Sequence, residues 1–185
     1  MTQTKLQKKH QLMTIIAAVI VVLLAIFFWM SRPPEVTAPA KSTSVDLEKL
    51  SLDEKVKFTD EQWREVLTPQ QYEVMRNKGT ETPYTGEYLD NKQKGTYVTA
   101  DCGEPVFHSD QKYDSQTGWP SFWAPIDEDA VELVEDNSYG MKRIEVISKK
   151  CKTHLGHVFP DGPKDKTGQR FCINSVALTF IPDEL

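Results

Sequence analysis

The sequence predicts a mainly β domain with short helices at its start, placed behind one membrane-spanning helix. Three observations carry this reading. From Gly79 onward, glycines punctuate short runs rich in β-branched and aromatic residues. No long helical pattern separates those runs, which favours antiparallel pairing. Near the N-terminus, one uncharged stretch is long enough to cross a bilayer.

That stretch comes first. From Gln11 to Ser31 no side chain is charged, and Met13 to Met30 is almost wholly apolar. A hydrocarbon core of about 30 Å needs roughly 20 such residues in a helix. Phe28 and Trp29 stand at one end, where interfacial aromatics are expected. A cleaved signal peptide is the rival reading, with Ala38-Pro39-Ala40 as a cleavage pattern. The apolar run exceeds an ordinary signal core, so an uncleaved anchor over 12–31 is preferred. Lys5, Lys8 and Lys9 precede the span and only Arg32 follows closely. The positive-inside bias therefore puts a tail, 1–11, in the cytoplasm and the rest on the periplasmic or extracellular side of the cell membrane.

A linker is expected over 32–57, where Pro33, Pro34 and Pro39 favour extended backbone. The domain then runs over 58–185. Thr59 with Gln62 is a capping-box pattern, and Trp63, Val66 and Leu67 share one helical face. Thr68, Pro69 and Gln71 begin a second helix, for which Gly79 would be the C′ residue. Strands are expected at Thr96–Thr99, Val131–Val134, Arg143–Ile147 and Phe171–Phe180.

Beyond the first 31 residues the chain carries 19 basic and 27 acidic side chains, a formal charge of −8. Nucleic acid is thereby disfavoured as a partner, because phosphate binding needs a basic footprint. The three cysteines are Cys102, Cys151 and Cys172. In an oxidising compartment three suggest one disulfide and one free thiol.

Three stretches can carry chemistry. In Arg170-Phe171-Cys172-Ile173-Asn174, alternation puts Arg170, Cys172 and Asn174 on one face. A nearby guanidinium favours the nucleophilic thiolate, although a buried structural cysteine would fit a core strand equally well. His154 and His157 can converge in a turn as acid–base groups or metal ligands. Gly118 to Trp123, including Trp119, Pro120 and Phe122, can form a rigid apolar wall.

Together these stretches resemble the type B, R-specific methionine sulfoxide reductases. The resemblance spans about Phe58 to Ile181 and is densest over His154–Pro163 and Arg170–Ser175. It implies two small antiparallel sheets. It implies an enzyme in which Cys172 attacks the sulfoxide sulfur of methionine-R-sulfoxide, mainly within oxidised proteins, and becomes a sulfenic acid. His157, with His154, would handle the proton. Asn174 and Asp161 would orient that network, and Arg170 would support the thiolate. Trp119 would pack on the substrate's methyl group.

The chain departs from the family pattern twice. Family members often hold zinc by two Cys-x-x-Cys pairs, but here the first cysteine of each pair is replaced by Thr99 and Ser148. Two thiolates cannot close a tetrahedral site, so no metal and no other cofactor is expected. A Cys102–Cys151 disulfide is the hypothesis that follows. The usual resolving cysteine is Thr117, so an external thiol donor, such as a thioredoxin-like protein, is the favoured reductant. Two alternatives stay open: a Cys2His2 zinc module of Cys102, Cys151, His154 and His157, and a hydrolase using Cys172, His157 and Asn174.

Overall fold

A computed structural model of the protein describes residues 47–184. The expected tail, the anchor over 12–31 and the linker before residue 47 lie outside the described residues. Among the described residues no helix is long and apolar enough to cross a membrane.

Ordered structure begins before the expected boundary at residue 58. A 3-10 turn, Leu47–Lys49, leads into α1, Leu52–Lys55. The reason is local: Ser51 N donates to Glu54 Oε2 at 2.9 Å, which closes a capping box. Leu47 and Phe58 then pack against the core. The next two helices start where the sequence places them. α2, Asp60–Val66, is capped by Thr59, and α3, Pro69–Met75, is capped by Thr68 with Pro69 in its first turn. The end of α3 differs from expectation. Lys78, with φ 59°, takes the left-handed conformation there, and Gly79 does not. Gly79 is needed for space, since a Cβ would lie 2.9 Å from the carbonyl oxygen of Glu73.

Among the described residues nine strands follow, all paired antiparallel. They are β1 Gly95–Thr99, β2 Pro105–His108, β3 Lys112–Tyr113, β4 Ser121–Phe122, β5 Val131–Asp136, β6 Arg143–Ser148, β7 His154–Phe159, β8 Arg170–Ile173 and β9 Leu178–Pro182. One sheet has the order β2-β1-β9, the other β3-β4-β8-β7-β6-β5. The single strand expected over Phe171–Phe180 is two strands in different sheets, separated by a 3-10 turn at Ser175–Ala177. β7 was expected as a turn.

The sheets pack through aromatic side chains. Tyr97 and Phe107 of the first sheet meet Phe122 of the second, with ring centroids 5.1 and 4.5 Å away. All three rings are fully buried. Each such side chain contributes about 1.5–3 kcal/mol of transfer free energy. Phe122, Phe171 and Val158 are direct cross-strand partners on β4, β8 and β7. They define the core face of the larger sheet. The opposite face carries the polar residues.

Candidate active site

The polar face is organised by strand register. Ser121, Cys172 and His157 pair directly across β4, β8 and β7. Directly opposed residues point to the same side, so the thiol and the imidazole are neighbours. Gly156 permits the close approach, because a Cβ there would collide with the carbonyl oxygen of Cys172.

His154 and His157 are three apart, and in a regular strand they would face opposite sides. A bulge corrects this. Val146 pairs with Gly156 while Ile147 pairs with His154, leaving Leu155 as the extra residue. Both imidazoles therefore reach the polar face, with ring centroids 5.5 Å apart. On the β8 side the Leu155 carbonyl accepts from Asn174 N at 2.8 Å and Asn174 Nδ2 at 3.0 Å. Asn174 thus braces the histidine strand against the cysteine strand.

Each histidine has its own carboxylate. His157 Nε2 donates to Asp136 Oδ2 at 2.8 Å, and Asp136 also receives Arg143 at 2.6 Å. Hydrogen bonds from Ser138, then from His157, hold the Asp136 carboxyl well below the ordinary range, so it accepts as an anion. His154 Nδ1 lies 2.7 Å from Glu145 Oε1, and Lys78 Nζ reaches the other oxygen of Glu145 at 2.8 Å. Burial keeps His154 neutral by pushing its pKa down, against the pull of Glu145. Its Nε2 is buried without a hydrogen-bond partner among the described residues.

Asp161, expected to help orient the histidine network, is bonded to Arg170. Its two oxygens accept from Arg170 Nε and Nη2 at 2.9 and 3.0 Å. Arg170 lies close enough to Cys172 to favour the thiolate, but burial is the larger influence and pushes the thiol up. Thr117 Oγ1 is 3.9 Å from the sulfur and acts with Arg170 against burial.

An open pocket sits over these groups, lined by Thr80, Trp119, Arg143, Gly156, His157, Phe159, Cys172 and Asn174. Of the three expected wall residues, only Trp119 lines it. Phe122 points into the core because Ser121 takes the site face of β4, and Pro120 is buried, its carbonyl accepting from Ile173 N at 3.0 Å. The left-handed Gly118, with φ 93°, makes the turn that presents Trp119. Sequence reasoning missed Asp136, Arg143 and Glu145. Arg143 and Glu145 alternate with Ile144 and Val146, a period-two charge pattern that marks a polar face.

The remaining cysteines lie at the far end of β7. Cys102 and Cys151 form a disulfide, with Cα atoms 6.4 Å apart. Asp101, Cys102 and Cys151 bring three ligand-type atoms within 4.8 Å of one another. They do not fit a structural zinc ion in this state. Disulfide sulfurs are not thiolates, and the Asp101 carboxylate is taken by Arg76 at 2.5 Å and by the Thr153 hydroxyl. Thr99 and Ser148 spend their hydroxyls on the backbone N–H groups of Glu104 and Thr153. The Cys2His2 alternative fails on position, since both histidines are bonded at the polar face.

Comparison with known proteins gives consistent results. Residues 67–182 match the SelR domain family model. The chain is 56% identical over 130 residues to the peptide methionine sulfoxide reductase MsrB of Methanosarcina mazei, covering 70% of this chain and 92% of that protein. It is 55% identical over 127 residues to the MsrB of Hahella chejuensis, covering 69% and 91%. It is 50% identical over 133 residues to the MsrB of Chromohalobacter salexigens, covering 72% and 100%.

Proposed function

Because the chain belongs to the SelR-domain family of peptide methionine sulfoxide reductases, and is by that kinship a peptide-methionine (R)-S-oxide reductase, we propose that Cys172 is its nucleophile. The observation that carries this is the row Ser121–Cys172–His157, which puts the one free thiol among the described residues beside an imidazole at the floor of an open pocket.

Cys172 Sγ attacks the sulfoxide sulfur while His157 supplies a proton to the sulfoxide oxygen. The transient bond from Sγ to the substrate sulfur and the substrate's sulfur–oxygen bond both break as a bond from oxygen to Cys172 forms. The substrate sulfur gains two electrons, Cys172 loses two, and the thiol proton, passed first to His157, ends on the sulfenic acid. Asp136 accepts from His157 Nε2 and holds the ring in its orientation. Trp119 takes the substrate's methyl group. An external thiol, such as that of a thioredoxin-like protein, then attacks Cys172, releases water and leaves a mixed disulfide, which a second thiol resolves.

The disulfide, the Arg76–Asp101 pair and their hydrogen bonds support a domain held together without zinc. The uncharged stretch over 12–31 supports a membrane tether with the catalytic domain outside the cytoplasm. Fractionation of cells expressing the full chain and a chain lacking residues 1–31 tests the tether, which a fully soluble full chain would rule out. Reduction of a peptide methionine-R-sulfoxide with dithiothreitol, compared with Cys172→Ser, tests the nucleophile. Full activity in Cys172→Ser would end this assignment.

A further inference from the structure

We propose that Glu81 is a positioning residue for the reaction, holding the Trp119 indole and the chain that follows Cys172 in fixed relation to each other. This inference rests on the roles proposed above for Cys172 and Trp119 and adds the element that sets their spacing.

Glu81 lies in the irregular segment between α3 and β1, yet it is only 5% exposed. Both its backbone groups and both carboxylate oxygens are engaged at the site. Its N–H donates to Asn174 Oδ1 at 3.0 Å. Its carbonyl accepts from Trp119 Nε1 at 3.1 Å. Oε1 accepts from Ser175 N at 2.6 Å and Oε2 from Val176 N at 3.0 Å. Those two N–H groups open the 3-10 turn directly after the cysteine strand.

One residue therefore joins two remote parts of the pocket. Trp119 arrives from the turn before β4, and Asn174 lies two residues after the nucleophile. Through Asn174 the connection continues to Leu155, the bulge residue between the histidines. The pairing of β4 with β8 fixes the backbone beside Trp119, with the Pro120 carbonyl accepting from Ile173 N, and Glu81 adds the link to the indole itself.

The chemistry requires an acid at this position. Both partners of the side chain are donors, so two acceptor oxygens are needed. Glutamine would offer one acceptor and turn its NH2 group against a backbone N–H. Burial of the carboxyl raises its pKa, and the two backbone donors offset part of that rise. Gly86 leaves the necessary room, as a Cβ there would stand 2.7 Å from Oε1 and 2.6 Å from Ser175.

The expected consequence is specific. Cys172 and His157 keep their strand register without Glu81, so the thiol's own reactivity stays the same. What shifts is the wall that receives the methyl group, and with it substrate affinity and choice of epimer.

The test compares wild type, Glu81→Gln, Trp119→Phe and the double variant on methionine-R-sulfoxide and methionine-S-sulfoxide peptides. Trp119→Phe removes the indole N–H and keeps an aromatic ring. Each single variant should raise KM for the R epimer about tenfold, leave kcat within about threefold, and narrow the preference for R over S. The double variant should be no worse than the poorer single one, since both break one connection. Multiplying effects, or a fall in kcat at unchanged KM, would overturn the proposal. If Glu81→Gln does not fold, an unchanged KM in Trp119→Phe overturns it alone. An inactive wild type would instead refute the proposed function. The Trp119 Nε1–H resonance, assigned by its loss in Trp119→Phe, would then decide, and an unmoved resonance in Glu81→Gln would count against Glu81.

Discussion

The hydroxyl oxygen of Thr117 lies 3.9 Å from the sulfur of Cys172, at the position where the family's usual resolving cysteine stands. A hydroxyl there can donate to a thiolate but cannot form a disulfide with it. Burial raises the Cys172 pKa, and Thr117 is the first of the groups that oppose this. A raised thiol pKa leaves the neutral form dominant at neutral pH, so the thiolate fraction climbs as pH rises. Alkylation of Cys172 by iodoacetamide should therefore accelerate well into the alkaline range. Thr117→Val should move that curve further alkaline and slow the reaction at pH 7 about threefold or more, the effect of one weak hydrogen bond to an anion. A superimposable curve would remove Thr117 from the account.

The same relationship bears on recycling. Cys151 sits in the turn before β7, while Cys172 pairs with His157, three strand residues further on. That separation exceeds about 10 Å, and a disulfide needs Cα atoms within about 7 Å. Cys102 and Cys151 are also buried and joined to each other. One turnover without reductant should leave a Cys172 sulfenic acid that dimedone captures. Thr117→Cys should instead yield a 117–172 disulfide. Mass spectrometry of peptides distinguishes these products. A link from Cys172 to Cys102 or Cys151 in the wild type would contradict the geometry.

Much of this was legible in the residues, and the gaps have physical causes. Capping boxes at Thr59 and Thr68 are local signals, and the helices start there. Strict alternation in Arg170–Ile173 placed Cys172 opposite the core. The convergence of His154 and His157 was foreseen, but the means was a bulge set by register with β6, which no local pattern reveals. Asp136 is 21 residues from His157 and meets it only across the sheet. Phe122 was misplaced because a two-residue strand leaves too little alternation to read. The early start at Leu47 is only faint in the sequence, because the apolar period from Val45 to Leu50 is short and weak.

Asp136 makes a sharp prediction. Asp136→Asn keeps the shape and one acceptor but removes the carboxylate that holds the His157 ring in place. If His157 is the proton donor, kcat should fall by about tenfold to a hundredfold, the range expected for impaired general acid catalysis. Alkylation of Cys172 should stay within about twofold of wild type, as a control that the pocket is intact. Steady-state kinetics on a methionine-R-sulfoxide peptide provide the comparison. An unchanged kcat would reassign the proton to another group.

His154 should make stability fall in acid. Burial depresses its pKa below the ordinary 6.5, so the unfolded chain takes up a proton that the folded chain refuses. The stability is present above the unfolded pKa and is lost as pH drops towards the lower folded value. The urea midpoint should decrease from pH 8 to pH 5.5 in the wild type. His154→Gln should flatten that slope, whatever it does to stability at pH 8. An identical slope in both proteins would show that acid sensitivity arises elsewhere.

The disulfide should matter for stability far more than for catalysis. It ties residues 49 apart, which in the chain-entropy model contributes about 4 kcal/mol. Part of the local structure survives without it. Glu104 oxygens accept from the N–H groups of Lys150 and Cys151 at 3.1 Å, and Arg76 holds Asp101 while lying over the Trp63 ring. A Cys102→Ser/Cys151→Ser variant should therefore fold, unfold at distinctly lower denaturant, and retain kcat/KM within about twofold wherever it is folded. Dithiothreitol should lower the urea midpoint of the wild type and leave that of the variant alone. Equal midpoints for the two proteins under oxidising conditions would mean that the hydrogen-bonded network alone fastens this end of the sheet.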